Sequence, residues 1–560
     1  MADITFNQTS YDSSFFHASY SGRRVLVLAP HQDDEINIAG NSIQNFVNAG
    51  AEVFVMFSTN GDANMGMYNF TAETRLSEAV NSLRILGVDK EHILIMGYGD
   101  TSNNFPGGHI FYSRDKAIKS SRGKTHTYGA AGLQDFSYLT RHEHSRYCRS
   151  DYLRDLEELI LYVHADIILA VDFDKHSDHR MLSLCFEQVM GRILSRPGND
   201  YRPEVFKRFA YSTAFMAAHD LFADNLPETK KPENVTDKEM IDTSCYSWRG
   251  RVRFPVPAGC RNTLLEGNTI AEALKQHVSQ DAVLNAVNII NSDEVFFRRR
   301  TDSITFSAHV SASSGNPDYA HDFMLANVSD IYSDTPKWTN YLWRPDAEDT
   351  LKTITFTWDK EQTISRTVLW GNIDGTPIQK AELRLDNGFS CELGVFPERG
   401  LPLVIDIPEG KRNGIKKLSI SILDAGGTEG GLAEVEAFAE PEQRGYIRPY
   451  LQITCNDNFI YEYNRKQGDE YVNVGCYCWK VNEPVKYEVH GNARLEEGRL
   501  IFSDDNDVIL LASAGDVYCR SVFRTLSSAE LDALHTKQTE EKNHIIKRIK
   551  FLVSYFSANE

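Results

Sequence analysis

Two clusters of histidine and carboxylate stand out in this 560-residue chain. His31-Gln32-Asp33-Asp34-Glu35 follows directly on Arg24–Pro30 (RVLVLAP), and Asp172-Phe173-Asp174-Lys175-His176-Ser177-Asp178-His179 follows on the apolar run Ile167–Val171. Two imidazoles and one carboxylate on three protein positions leave a fourth position for water, the layout of a catalytic and not a structural zinc site. The remaining carboxylates and the remaining histidine can then serve as base and electrophile. Each cluster alone has a plainer explanation. Adjacent aspartates after a strand commonly cap a helix, satisfying orphan amides and complementing its dipole. Two such clusters, each at the end of an apolar run, favour chemistry.

The elements that would position these residues alternate strand with helix. RVLVLAP reads as a strand buried on both faces, and residues 36–49 as a helix that Gly50 ends. Val53–Ser58 is the next strand, 72–86 an amphipathic helix closed by Gly87, and Ile93–Met96 a third strand. A helix over 151–164 leads into the strand Ile167–Val171, and another helix follows His179. This alternation predicts a Rossmann-like α/β domain with a parallel sheet covered on both sides. Both clusters would then lie outside the carboxyl edge of one sheet, where ligands of open α/β sheets bind. Between Asp100 and Asp151 a Gly-, Ser- and His-rich stretch of weak periodicity reads as a lid or substrate-binding excursion. Within it, His142-Glu143-His144 does not preorganise ligands as a loop i, i+2 pair and reads as a substrate or solvent contact.

HQDDE and HSDH resemble the paired His-Pro-Asp-Asp-Glu and His-Pro-Asp-His motifs of the PIG-L/LmbE-like metal-dependent N-deacetylases. The resemblance runs over about residues 1–300 and takes in Arg75 and Glu78, the Gly97-Tyr98-Gly99-Asp100 turn, and His277-Val278-Ser279-Gln280 with Glu294. It implies that His31, Asp34 and His179 hold Zn2+, with another divalent metal as the alternative, and that Asp33 is the general base. It further implies that a protonated His176 stabilises the oxyanion, with Asp178 as its partner, and that Arg75 and Asp100 lie near the substrate sugar. Gln32 and Ser177 stand where the family has proline, and Asn37 where it has an apolar residue. The implied activity is removal of the acetyl group from an N-acetylated amino sugar or glycoconjugate. An amidase acting on another acyl conjugate, or an inactive carbohydrate-binding scaffold, are the alternatives. A nucleotide-binding domain is disfavoured because no Gly-rich phosphate loop follows the first strand.

From about residue 300 the pattern changes to short alternating segments separated by turn residues: Ile304–Val310, Thr353–Thr357, Thr367–Trp370, Ala381–Leu385 and Lys417–Ile422. They predict an antiparallel β-sandwich over 301–440. HVSASSGNPDYAHDFMLANVSD, Lys337-Trp338-Thr339, TITFTW and Gly431-Leu432-Ala433-Glu434-Val435-Glu436-Ala437-Phe438 resemble the discoidin-like, galactose-binding-like fold. The resemblance implies a possible glycan ligand, and Trp338, Trp343 and Trp358 could stack on sugar rings or fill the core. A small β-rich domain over 445–525 follows. The last helix, 526–560, opens on the capping-box pattern Ser527-Ser528-Ala529-Glu530. With its own pattern of elements, the segment 1–300 is expected to fold alone.

Composition narrows the class. A net charge of −19 argues against a general phosphate-backbone binder, so nucleic acid is not an expected partner. The start, MADITFNQTSYDSSFF, lacks the basic and apolar regions of a secretion signal, and no run of about 18 apolar residues predicts a membrane span. Nine cysteines, with Cys476 and Cys478 the one close pair, read as reduced thiols of a cytoplasmic protein.

Overall fold

The strand that carries the first cluster, β1 (Arg24–Ala29), is buried at every residue except the first. Its Val-Leu alternation is apolar on both faces, as a central strand requires. In the computed structural model it pairs in parallel with β2 (Glu52–Thr59) on one side and, counting only the main strands, with β4 (Ile167–Val171) on the other. Outside β2 lies β3 (Ile93–Tyr98), also parallel, and outside β4 lies β5 (Glu204–Arg208). Two further strands, β6 (Val252–Pro255) and β7 (Asp293–Arg299), complete the order β3-β2-β1-β4-β5-β7-β6. β7 is antiparallel to both β5 and β6, so the sheet is mixed where the alternation predicts a parallel one. Such an antiparallel edge on an otherwise parallel sheet is common. The structure describes residues 13–557 except 66–67, 70, 101–108, 175, 211–223, 228, 230–245, 291–292, 329–330, 333–337, 340–341, 374, 429 and 444.

Four helices connect the parallel strands and flank the sheet. α1 (Asp34–Asn48) ends where Gly50 turns the chain at φ +83°, and α2 (Ala72–Ile85) opens on Thr71, whose hydroxyl accepts the Thr74 N–H at 3.2 Å. α3 (Arg149–Val163) feeds β4, and α4 (Ser177–Leu194) leaves it with His176 as its N-cap. α1 is bent at Ala39, which has non-helical φ −148°. The two amides beyond the bend, Asn41 and Ser42, donate at 2.9 Å to the buried Glu294 carboxylate from the start of β7. The bend is thus satisfied by a polar partner and not left open.

The region after residue 300 contains several antiparallel sheets. One has five strands, in the order His309–Ala312, Thr353–Gln362, Ile415–Asp424, Lys380–Leu385, Ser390–Leu393. Another has three: Pro402–Asp406, Arg366–Trp370, Glu434–Phe438. Phe356 and Ile420 of the first share one apolar cluster with Leu369 and Val435 of the second. The expected strand Ile304–Val310 begins instead as a 3-10 turn, Ile304–Ser307, because Ser303 caps it through the Thr305 amide. Trp343 and Trp358 are buried in this cluster, so core filling is their role; the side chain of Trp338 and residue Lys337 lie outside what is described. Residues 450–526 form two more sheets over a separate apolar cluster. The final helix, Ser528–Ser557, opens on a reciprocal cap: the Ser527 amide donates to Glu530 and the Glu530 amide to Ser527.

These regions are not insulated from the first. The main apolar core around the parallel sheet takes in Phe323, Ile331, Ile447, Tyr450, Tyr461 and Ile545. The side chain of Glu204, on β5, is fully buried and holds Arg298 and Lys480 as well as the amides of Tyr446 and Ile447. Residues beyond 300 therefore contribute to the core around the parallel sheet. The eight described cysteines are free thiols. Among the described residues, no helix is long and apolar enough to cross a membrane.

Candidate metal centre

β1 and β4 run side by side in one register, Val25 opposite Ile167 through Leu28 opposite Ala170, so their carboxyl ends meet at one edge. The sheet order reverses between them, since β2 and β3 continue from β1 whereas β5 continues from β4. That reversal opens a crevice into which both clusters project.

Asp34 is the hub. One oxygen, Oδ2, lies 3.0 Å from His31 Nδ1 and 3.0 Å from His179 Nε2, and all three side chains are buried. The far nitrogen of each ring is also held by a carboxylate: His31 Nε2 donates to Asp178 at 3.1 Å, and His179 Nδ1 to Asp174 at 2.8 Å. Each ring thus has a carboxylate at both nitrogens, and a metal taken up beside Asp34 would replace a proton on the nitrogen that faces it. Burial disfavours charge on both rings, yet the carboxylates around them prevail, raising His31 well above 6.5 and His179 to about 10. Asp34 is pulled well below the usual carboxylate range by the two rings, against the opposing effect of burial.

His176 closes the group. Its ring centroid lies 4.7 Å from that of His31 and 4.8 Å from that of His179. One nitrogen from each of these three histidines falls within 4.8 Å of the others, and the same is true of donor atoms from His31, Asp100 and Asp178. Burial and the neighbouring His31 and His179 lower its pKa well below 6.5, so the ring is neutral where the sequence reading has it protonated. Its Nδ1 accepts the Asp178 amide at 3.2 Å, which puts the ring proton on Nε2 as a donor. Asp178, expected as the partner of this ring, gives its carboxylate instead to His31 and to His109, at 3.1 and 3.3 Å.

Asp33 sits at the mouth with φ +118°, a left-handed conformation that a non-glycine residue adopts only under constraint from its surroundings. The constraint is visible: its amide donates to Glu35 at 2.7 Å, and Glu35 is in turn fixed by His277 at 2.9 Å. Burial, then the charge of Asp34, raise its pKa to about 7, with Arg75 opposing. Arg75, from α2, lies 3.5 Å from Asp33 and 3.9 Å from Asp100, and donates to the Gln32 carbonyl at 2.7 Å. Asp100 is 3.8 Å from His31. The eight residues singled out in the sequence therefore meet in one place. Glu78 instead anchors Ser279, and His144 pairs with Asp135 and stacks on Tyr138.

The donor set fits a divalent cation. Asp34, Asp100, Asp174 and Asp178 are buried around these rings, and buried charges are paired or coordinate metals. Oxygen and imidazole donors already converge on one point at Asp34. Sequence reasoning gave no role to Asp174 or His109. Asp174 carries a signal, a carboxylate five residues before a candidate ligand on the same strand end. His109 carries none, because nothing in the sequence ties it to Asp178.

Residues 26–190 match the family model described as PIG-L: GlcNAc-PI de-N-acetylase. This segment is a PIG-L domain. Among curated proteins, none matches the chain. Solved structures similar to it include an N,N'-diacetylchitobiose deacetylase from Pyrococcus horikoshii complexed with its inhibitor MPG, at 15% identity over 50% of this chain and 84% of that one, TM-score 0.30. A deacetylase–teicoplanin complex is 14% identical over 49% of this chain and 99% of that one, TM-score 0.29. A family 32 CBM from C. perfringens NanJ, in complex with galactose, is 18% identical over 23% of this chain and 92% of that one, TM-score 0.18.

Proposed function

We propose that this PIG-L domain is a metal-dependent N-deacetylase that removes the acetyl group from an N-acetylated amino sugar, with zinc as the metal. The observation that carries the reading is the convergence of His31 Nδ1 and His179 Nε2 on one oxygen of Asp34, with Asp33 beside it under Arg75. The family description, a de-N-acetylase of a GlcNAc conjugate, supports the same reaction.

His31, Asp34 and His179 would hold the ion. When bound, it supplies Lewis acidity and makes hydroxide available near neutral pH. Asp33, raised toward neutrality, takes a proton from the attacking water and returns it to the departing amine. Arg75 keeps that carboxylate in place and, with Asp100, would face the sugar. His176, neutral with its proton on Nε2, would donate to the carbonyl oxygen as negative charge develops there; one such donor is typically worth ~10²–10³ in rate. Acetate and a free amino sugar leave.

His31→Ala and His179→Ala should each lose metal and turnover together. Elemental analysis checks this, and near-stoichiometric zinc in both variants would remove these two residues from the metal site.

A further inference from the structure

One aromatic side chain at this centre comes from outside the PIG-L segment. Tyr332 lies in the connection between the strands Asn327–Val328 and Trp338–Thr339, well beyond residue 190. Its ring meets His109 edge to face, with centroids 5.3 Å apart and an interplanar angle of 77°. His109 is fixed from both ends: Nδ1 accepts the Phe111 amide at 3.1 Å, so Nε2 carries the proton and faces Asp178 at 3.3 Å. Asp178 is the residue that orients His31. Tyr332 is thus two side chains removed from a candidate metal ligand.

Its position is set by its neighbour. Ile331 is fully buried in the main core, and its peptide groups are clamped to the catalytic region on both sides. Its amide donates to Tyr112 Oη at 2.5 Å, and its carbonyl accepts from Arg180 at 3.1 Å. Arg180 also donates to the Asp174 carbonyl at 2.5 Å, at the residue that orients His179. The clamp runs from one metal-site positioning residue, Asp174, to the tyrosine packed on His109, whose Nε2 faces the other, Asp178. Beyond this anchor Tyr332 stays 38% exposed. A buried anchor followed by a half-open aromatic, at the meeting of two structural regions, is what a ligand wall needs. Tyrosine offers an apolar ring face to carbon-bound hydrogens together with one polar tip.

We propose that Tyr332 completes the substrate site from the second region of the chain, contacting the sugar portion of an N-acetylated amino sugar while the PIG-L residues act on its acetyl group. This rests on the deacetylase reading above. The contact lies away from the reacting carbonyl, so it contributes to binding of ground and transition states alike and appears in KM and not in kcat. The PIG-L segment alone would then lack one wall of its own site.

The test uses the full chain, zinc-loaded, with acetate release measured on a panel of N-acetylated amino sugars. For any sugar the wild type hydrolyses, Tyr332→Ala should raise KM about tenfold with kcat within about twofold and zinc content unchanged, and Tyr332→Phe, which keeps the ring, should restore KM to within about threefold. An unchanged KM in Tyr332→Ala overturns the inference and leaves the deacetylase reading standing. A loss of zinc or of kcat with KM unchanged would make Tyr332 a support for His109 and also overturns it. A wild type that releases no acetate from any member of the panel overturns the deacetylase reading and this inference with it.

Discussion

Asp174 shows how much of this site depends on residues that never touch a substrate. It is fully buried, its carboxylate holds His179 Nδ1, and its carbonyl holds Arg180. Replacing such a positioning carboxylate typically costs 10–100-fold in metal affinity. Asp174→Asn should therefore weaken zinc by about that factor while leaving the fold intact, read by competition with a chelating dye; an unchanged affinity would show that His179 is oriented by something else. His31, Asp33, Asp34, His176, Asp178 and His179 were legible in the sequence, because paired clusters at two strand ends must meet when those strands are neighbours; Arg75 and Asp100 were legible only through the family resemblance. The partnerships were less legible. Nothing in the spacing says that Asp178 reaches back to His31 and across to His109, or that its backbone amide donates to His176.

At the scale of elements, local signals served well where the chain caps its own helices. Thr71 and Gly87 bracket α2, and the Ser527–Glu530 exchange opens the last helix. They failed where a partner from far along the chain decides the outcome. The antiparallel strands β6 and β7 depend on pairing across the edge of a sheet whose other members are parallel. The strand Glu434–Phe438 carries another feature invisible to periodicity, two buried glutamates beside the guanidinium of Arg299. Burial, then the negative charges of Asp322 and Glu436, hold the Glu434 carboxyl well above 4.5; burial raises Glu436 too, with Arg299 opposing. The unfolded chain releases these protons near the ordinary carboxylate value, whereas the folded chain keeps them. Their contribution to stability is therefore complete at low pH and is lost as pH rises from about 4.5 through the raised folded values. Glu434→Gln carries no such proton, so its melting temperature should decline less than that of the wild type between pH 5 and pH 9. Parallel declines in a calorimetric series would contradict this.

The whole molecule is built around a core that crosses its own sequence boundaries. Tyr450 packs on Phe15 and donates to the Arg253 carbonyl, Tyr461 accepts the Val256 amide, and Arg253 sits over Phe459. A fragment of residues 1–300 loses all of these and strips the buried Glu204 of Lys480 and two amides. Truncating one large buried aromatic typically costs ~3–5 kcal/mol, so losing several together should leave the fragment unfolded or aggregated. A monomeric, cooperatively melting fragment in sedimentation and calorimetry would refute that. The central claim is a reaction at a metal site whose proton transfer belongs to Asp33. Its most direct test is acetate release from an N-acetylated amino sugar by the zinc-loaded full chain, measured beside Asp33→Asn with zinc content determined in both. The account predicts turnover in the wild type and equal zinc in the variant, with kcat lower by ~10²–10⁴. Wild-type kcat in the zinc-replete Asp33→Asn protein would contradict it.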